Sequence, residues 1–276
     1  MREIIRKILY IFSKYFGLIQ IERILCKIAL NDLYKNKKFS HPKNLVKFGF
    51  KVFSQQDEDG IIEEIFIRIG VSKKKFIELG VETGIECNTT YLLYKGWGGL
   101  WIEGNSYFRN SIEANFADYL HKKKLVVEFE KVNPKNINKI ISKHYKKFEE
   151  IDLLSIDIGT HTYHTLKNIN YINSRVIVLE YNAKYGPSID WVSEYNANLL
   201  WDGSDYYGAS LKSFDKILQN KYKLVCCNIT GANAFFVRND LLNDKFINNF
   251  APEYHFNEEN YWLRLAFKNA YNIRIK

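Results

Sequence analysis

The chain predicts an α/β fold: a Rossmann-like, mostly parallel sheet closed by an antiparallel C-terminal hairpin and preceded by a helical extension. Three observations predict it. Short apolar segments alternate with amphipathic ones from residue 75 to residue 181. Runs such as Val176-Ile-Val-Leu179 are apolar at every position, as a strand covered on both faces requires. Two later apolar segments, 222–227 and 233–237, are joined by a connection containing Gly231, too short for a crossover, so they pair antiparallel.

The elements follow in chain order. Residues 1–44 read as a helical extension and 45–276 as the main domain. Within Met1–Asn31, apolar side chains (Ile4, Ile5, Ile8, Leu9, Ile11, Phe12, Tyr15, Phe16, Ile19, Ile21, Ile24, Leu25) are interrupted by Arg2, Glu3, Arg6, Lys7, Lys14, Glu22, Arg23 and Lys27. The longest uncharged run, Ile8–Ser13, is far short of the ~20 residues of a membrane span. No small-residue cleavage site follows, so no signal peptide is expected. An amphipathic helix remains, either packed on the domain or on another subunit, or lying on a membrane surface through its basic edge. After polar Asn31–Asn44, Gln55–Gly70 reads as a helix, with Asp57 and Glu58 favouring its start, an Ile61, Ile65, Ile69 stripe, and Gly70 as its stop. Strands are expected at 75–79, 99–103, 124–129, 152–158 and 174–181, and helices at 87–95, 105–119, 134–148 and 161–170. A long loop, 182–206, leads to a helix near 208–219 and then the hairpin.

Composition narrows the class. With 276 residues, 46% of them hydrophobic, the chain can bury one substantial core. Nineteen Phe, 19 Tyr and 5 Trp against few Gly and Pro exclude a disordered chain. The net charge of +9 comes from scattered lysines, clustered only briefly at Lys35–Lys38, Lys73–Lys75 and Lys122–Lys124. Such runs are solvated surface, and no nucleic-acid partner is expected. Cys26, Cys87, Cys226 and Cys227 show no C-x-x-C spacing, which implies neither a disulfide framework nor zinc and fits a reducing cytoplasm.

The chemistry concentrates in Lys75-Phe-Ile-Glu-Leu-Gly-Val-Glu-Thr-Gly84 and Leu100-Trp-Ile-Glu103. Each reads as a strand ending on an acid, and the first continues into a two-glycine turn. In such sheets, ligands sit at the carboxyl ends of parallel strands. The absence of Gly-x-Gly-x-x-Gly argues against a dinucleotide, and an acid-x-Gly-x-x-x-Gly turn is the usual form of an S-adenosylmethionine (SAM) site. On this reading Gly80 and Gly84 let the backbone approach the ligand. Glu78 holds the amino group, and Glu103 accepts the ribose hydroxyls. The plainer reading makes both acids ordinary strand-end residues.

Several words together resemble a known family. Phe53-Ser-Gln-Gln-Asp-Glu-Asp-Gly-Ile-Ile62, Phe76-Ile-Glu-Leu-Gly80, Asn88-Thr-Thr90, Gly96-Trp-Gly-Gly-Leu-Trp-Ile-Glu-Gly104 and Leu154-Ser-Ile-Asp-Ile158 are similar to FkbM-type SAM-dependent methyltransferases. Within that family, the similarity is to a bacterial branch found among surface-polysaccharide genes. Val178-Leu-Glu-Tyr-Asn182, Trp201-Asp-Gly-Ser-Asp-Tyr-Tyr-Gly-Ala-Ser210 and Asn233-Ala-Phe-Phe-Val-Arg238 extend the resemblance over roughly residues 50–240. It implies a class I methyltransferase fold, SAM as donor with Asn88 beside the glycine turn, and a hydroxyl acceptor, often on a sugar or sugar nucleotide. Relatives tend to continue the fourth strand as Asp-Ile-Asp-Gly-Asn-Asp-Tyr. This chain has Asp157-Ile-Gly-Thr-His-Thr-Tyr163, losing two acids and gaining a histidine.

Asp157, His161, His164, Glu180 and Asn182 fall at the ends of strands four and five. Removing a proton from a hydroxyl suits a base with pKa near neutrality, which favours His161 and then His164; the alternative is a histidine that caps the helix. Asp157, Glu180 and Asn182 could instead offer oxygens to Mg²⁺, which would acidify the acceptor; the alternative is direct contact of Asp157 with SAM or substrate. The loop from Tyr181 to Ser210 carries Tyr181, Tyr185, Trp191, Trp201, Asp202, Asp205, Tyr206 and Tyr207, rings and acids of the kind that line a carbohydrate pocket. The alternative is a lid packed on the core. The expected function is therefore SAM-dependent O-methylation of a sugar hydroxyl, in the cytoplasm or at the inner face of the membrane. The rivals are a catalytically degenerate SAM-fold scaffold, suggested by the altered 159–162 segment, and a nicotinamide oxidoreductase.

Overall fold

A computed structural model describes residues 2–15, 17–198 and 202–267. Seven strands form one sheet: β1 (Lys75–Leu79), β2 (Gly98–Glu103), β3 (Leu125–Phe129), β4 (Glu149–Ile156), β5 (Ile172–Glu180), β6 (Tyr222–Cys227) and β7 (Asn233–Arg238). Their order is β3-β2-β1-β4-β5-β7-β6, with β1 to β5 parallel and β7 antiparallel to both neighbours. This is the expected class I methyltransferase arrangement. The order reverses between β1 and β4, which opens a crevice at the carboxyl edge.

Adjacent strand residues feed different cores, which is why the strands lack polar alternation. Phe76 on β1 packs with Ile61, Ile65, Trp101 and Val178 on one face, whereas Ile77 packs with Ile102, Ile140 and Leu154 on the other. Below the sheet, the buried Asp152 carboxylate accepts from the backbone N–H of Ser72, Lys73 and Lys75 and from Arg175 at 2.8 Å. Arg175 also reaches the carbonyls of Gly70 and Ile69, so the pair clamps the approach to β1 onto β4 and β5.

Helix boundaries differ more from expectation than strands do. The helix expected at 105–119 is a 3₁₀ turn, Ser106–Phe108, followed by Arg109–Asn115 and Ala117–His121. The break falls at Phe116, whose φ of −120° leaves the helical region as its ring packs edge-on against Trp101 at 4.8 Å. The N-terminal segment is two helices, α1 (Arg2–Tyr15) and α2 (Leu18–Leu33), separated at Gly17 with φ 66°. Cys26 and Leu30 of α2 are buried, and the Cys26 thiol donates to the Trp262 carbonyl in the 3₁₀ turn Tyr261–Ala266. No helix among the described residues is long and apolar enough to cross a membrane.

The third helix, α3 (Glu58–Ile69), starts at an acidic group that is almost wholly buried: Asp57, Glu58 and Asp59 are each at most 1% exposed. Asp59 accepts from the N–H groups of Val52, Phe53 and Ser54, and Glu58 from the side chains of Asn228 and Asn233. Burial, then the neighbouring Glu58, pushes Asp57 up to about 8, and burial pushes Asp59 up to about 6. These carboxyls keep protons in the folded protein at pH values where the unfolded chain, titrating near 4, has lost them. Folding therefore takes up protons, and stability falls as pH rises toward the folded values. Burial depresses His255 to about 4, which acts in the opposite direction, but only below its unfolded value of about 6.5. Between pH 6.5 and 8 the thermal midpoint should fall, with Asp57 contributing on the order of 2 kcal/mol. Asp57→Asn should flatten that slope in calorimetry. A midpoint that rises over this interval would contradict the assignment.

Candidate active site

A cavity of about 890 Å³ lies at the carboxyl ends of β1 to β5. Its base is the turn after β1. Gly80 has φ +82°, and a Cβ there would stand 1.8 Å from the Asp157 carbonyl oxygen. Only glycine lets the β1 turn lie against the end of β4. Gly84, also at positive φ, is not on the cavity; a Cβ there would strike the rings of Trp101 and Phe116 at 2.6 and 2.7 Å. Its freedom serves packing.

The strand-end acids divide by hydrogen bonding. Glu78 accepts from Asn88 N, Thr89 N and Ser155 Oγ at 3.0 Å each and from Thr89 Oγ1 at 2.5 Å. A carboxylate has about four acceptor positions, so Glu78 is saturated by the protein. Burial pushes it up to about 7 despite those donors. Glu78 lines the cavity, but its hydrogen bonds fold residues 88–89 back onto the sheet. Asn88 also lines the cavity, and its amide donates to Ser155 Oγ. Glu103 receives three backbone donors, from Val81 at 3.1 Å, Glu82 at 2.7 Å and Asn105 at 2.7 Å. That leaves about one acceptor position facing the cavity.

At the switch point, Asp157 and Glu180 both line the cavity and lie close enough to perturb each other. Burial raises both. Glu180 is pushed well above the carboxylate range, with the Asp157 charge as the second cause. Two such carboxyls disfavour carrying two charges at once, which favours a shared proton. Tyr207 and Tyr261, hydroxyl to hydroxyl at 3.3 Å, also line the cavity, as does Asn233, paired with Glu180 across the β5–β7 register. Six carboxylates line it (Glu78, Glu82, Glu86, Glu103, Asp157, Glu180), against one lysine, Lys131, whose ammonium donates to the Ala197 carbonyl. In a chain of net charge +9, this cavity is acidic.

Several expected residues lie elsewhere. His161 lines the cavity, its ring edge-on to Tyr195. His164 does not; its Nε2 meets the Ser193 carbonyl at 2.8 Å and fastens the following loop. Tyr181 alternates with Glu180 along the strand, so it points to the opposite face, is fully buried and donates to the Asn257 carbonyl. Asn182 donates its amide to the carbonyls of Asp205 and Tyr207 and accepts from Lys184 N–H; it is fully buried and does not line the cavity. Asp202 and Asp205 are exposed; Asp202 accepts from Ser204 N–H, and Asp205 lies 3.6 Å from the Lys184 ammonium. Tyr206 packs edge-on to Trp191, which stacks on Tyr185 at 4.1 Å. Trp201 lies outside the described residues. Among the described aromatic residues of this loop, Tyr207 is the one that lines the cavity. Without Asn182, only Asp157 and Glu180 remain of the Mg²⁺ set, and no group of three or more His, Cys, Asp or Glu among the described residues is placed to hold an ion. The donor set does not fit a resident metal. Asn233 and Tyr261 carried no signal of their own; the antiparallel hairpin and the C-terminal turn deliver them.

No family model and no curated protein matches the chain. Similar solved structures include a putative caffeoyl-CoA O-methyltransferase from Staphylococcus aureus, at 14% identity over 78% of this chain and 99% of that one, TM-score 0.45. A SAM-dependent methyltransferase from Aquifex aeolicus is 12% identical over 74% and 96%, TM-score 0.39. The N-terminal domain of EvdMO1, in the presence of SAH and D-fucose, is 15% identical over 66% and 82%, TM-score 0.42. Likenesses this distant carry no inference about chemistry.

The glycine turn gives a direct test. Gly80→Ala should cost about 3 kcal/mol, combining a positive φ with a clash against backbone that has no rotamer to yield. Gly104→Ala, whose Cβ would meet nothing nearer than 3.5 Å, should be nearly silent. Thermal unfolding of both variants checks this, and equal shifts would contradict the close approach.

Proposed function

We propose that this chain is an O-methyltransferase that moves a methyl group from SAM to a sugar hydroxyl. The observation that carries the reading is the acidic cavity itself, placed at the sheet's switch point, with the Gly80 turn on one side and the Asp157–Glu180 pair on the other. SAM supplies a methyl group on a positively charged sulfonium. Carboxylates in a partly enclosed site favour such a cation, and the same acids favour its ammonium. The spare acceptor position of Glu103 suits one ribose hydroxyl. Gly80 keeps the turn low enough for a ligand to lie across it.

At the acceptor side, the ionised oxygen of the Asp157–Glu180 pair takes the hydroxyl proton as the oxygen–carbon bond forms and the carbon–sulfur bond breaks. The proton then passes to solvent. His161 supports a second reading of this step, because its ring also lines the cavity and imidazole titrates near neutrality. The acidity bears on the acceptor too. A nucleotide diphosphate would face a wall richer in acids than in lysine, so a neutral glycan precursor suits the cavity better than a sugar nucleotide.

Titration calorimetry with SAM, S-adenosylhomocysteine and NAD separates the readings. Binding of the first two without NAD is expected; no binding by any would leave the scaffold, and NAD alone the oxidoreductase. Glu103→Ala should weaken SAM at least about tenfold. Acceptors are screened by mass spectrometry for the gain of one methylene, using neutral glycosides beside sugar nucleotides. With an acceptor in hand, Asp157→Asn should lower kcat by about 10²- to 10⁴-fold while SAM still binds. If His161→Ala has that effect and Asp157→Asn does not, the histidine is the base. Activity should survive exhaustive EDTA treatment; its loss would restore the metal.

A further inference from the structure

The two N-terminal helices carry large apolar side chains that are more than half exposed or nearly so. On α1, Ile5, Ile8, Leu9, Ile11 and Phe12 are each 50–63% exposed. On α2, Leu18, Ile21, Ile24, Leu25 and Ile28 are each 52–60% exposed. A helical period of 3.6 puts Ile5, Ile8, Leu9 and Phe12 in one stripe of α1, with Arg6, Lys7 and Lys14 on the other side. In α2, Cys26 and Leu30 already anchor one face to the domain, with Ala29 and Leu33 packed beside the core. The stripe Leu18, Ile21, Leu25, Ile28 is a second apolar face, and the core does not use it. Contiguous apolar surface of this kind on a folded domain marks an interaction site.

We propose that α1 and α2 dock this enzyme onto an anionic lipid bilayer, lying in the interface without crossing it. Charge selects that partner. Residues 2–33 hold six basic and three acidic side chains, and α1 alone holds four and one. A second copy of the chain, equally basic in this segment, would offer these cations no counter-charge. Acidic headgroups supply the missing counter-charge, while the aliphatic stripe enters the acyl boundary. At about 1.5 Å per residue, the 14 residues of α1 span only about 21 Å, too short for the hydrocarbon core but suited to lying in its surface.

Flotation of the full-length protein with vesicles tests this, comparing phosphatidylcholine alone with phosphatidylcholine plus phosphatidylglycerol. Binding to the mixed vesicles, weakening as salt is raised, is expected. Arg6→Gln with Lys7→Gln should lower partitioning about 25-fold, roughly fivefold per cation. Ile8→Glu with Phe12→Glu should abolish it, whereas Tyr107→Glu, on an exposed residue elsewhere, should leave it unchanged. All of these side chains are exposed, so unchanged circular dichroism and thermal midpoints verify that the variants fold. No flotation, or equal and salt-independent flotation onto neutral vesicles, overturns the proposal. So does a dimer in sedimentation velocity that Ile8→Glu dissolves while vesicles fail to bind.

Discussion

One contact sets the geometry of this molecule's working edge: the main chain at Gly80 lies where a side chain would overlap the Asp157 carbonyl. Because β1 and β4 are neighbours at the point where strand order reverses, their exits must diverge to open a crevice, yet here they touch before they part. The Asp157 N–H donates to the Leu79 carbonyl, and the Gly80 N–H donates to Ile102. Three strand ends are thereby fixed to one another by backbone alone. The side chains that follow inherit their positions from that lock, with Asp157 facing Glu180 and Val81 and Glu82 brought onto Glu103.

Carboxylates are plentiful at this edge, but they do different work, and counting hydrogen-bond donors separates them. Glu78 meets four donors from the protein and has a structural part, fixing residues 88–89. Glu103 meets three and bridges two loops while keeping room for a partner. Asp157 and Glu180 lie together, which opposes the charging of both. Buried acids otherwise stay neutral or gather donors, and Asp59 with its three backbone N–H groups shows the second course away from the cavity.

The sheet was legible in the sequence because its strands are apolar on both faces, a pattern that needs no tertiary context. The hairpin followed from the short connection around Gly231, and the site's location followed from acids ending two strands. Orientation was harder. The inward orientation of Tyr181 follows from alternation with Glu180, since period two continues past the last ladder bond. His161 and His164 differ because a 3₁₀ turn, Gly159–His161, precedes the helix and changes the rotation between them. The break at Phe116 depends on Trp101, a partner on another element, and Tyr261 arrives from a turn that no local pattern links to β5. Such features are properties of packing, and a linear reading reaches them only after the sheet is built.

The acidity of the cavity has a consequence for turnover on the proposed reading. The donor enters with a sulfonium and leaves as a neutral thioether, so each cycle removes one positive charge from among the acids of the cavity. The field that gathers the donor therefore loses part of its hold on the spent one, and a fresh donor competes for the cavity with an electrostatic advantage. A cationic wall would reverse that preference and retain the exhausted molecule. On that reading, the distribution of acids favours exchange of the spent donor for a fresh one.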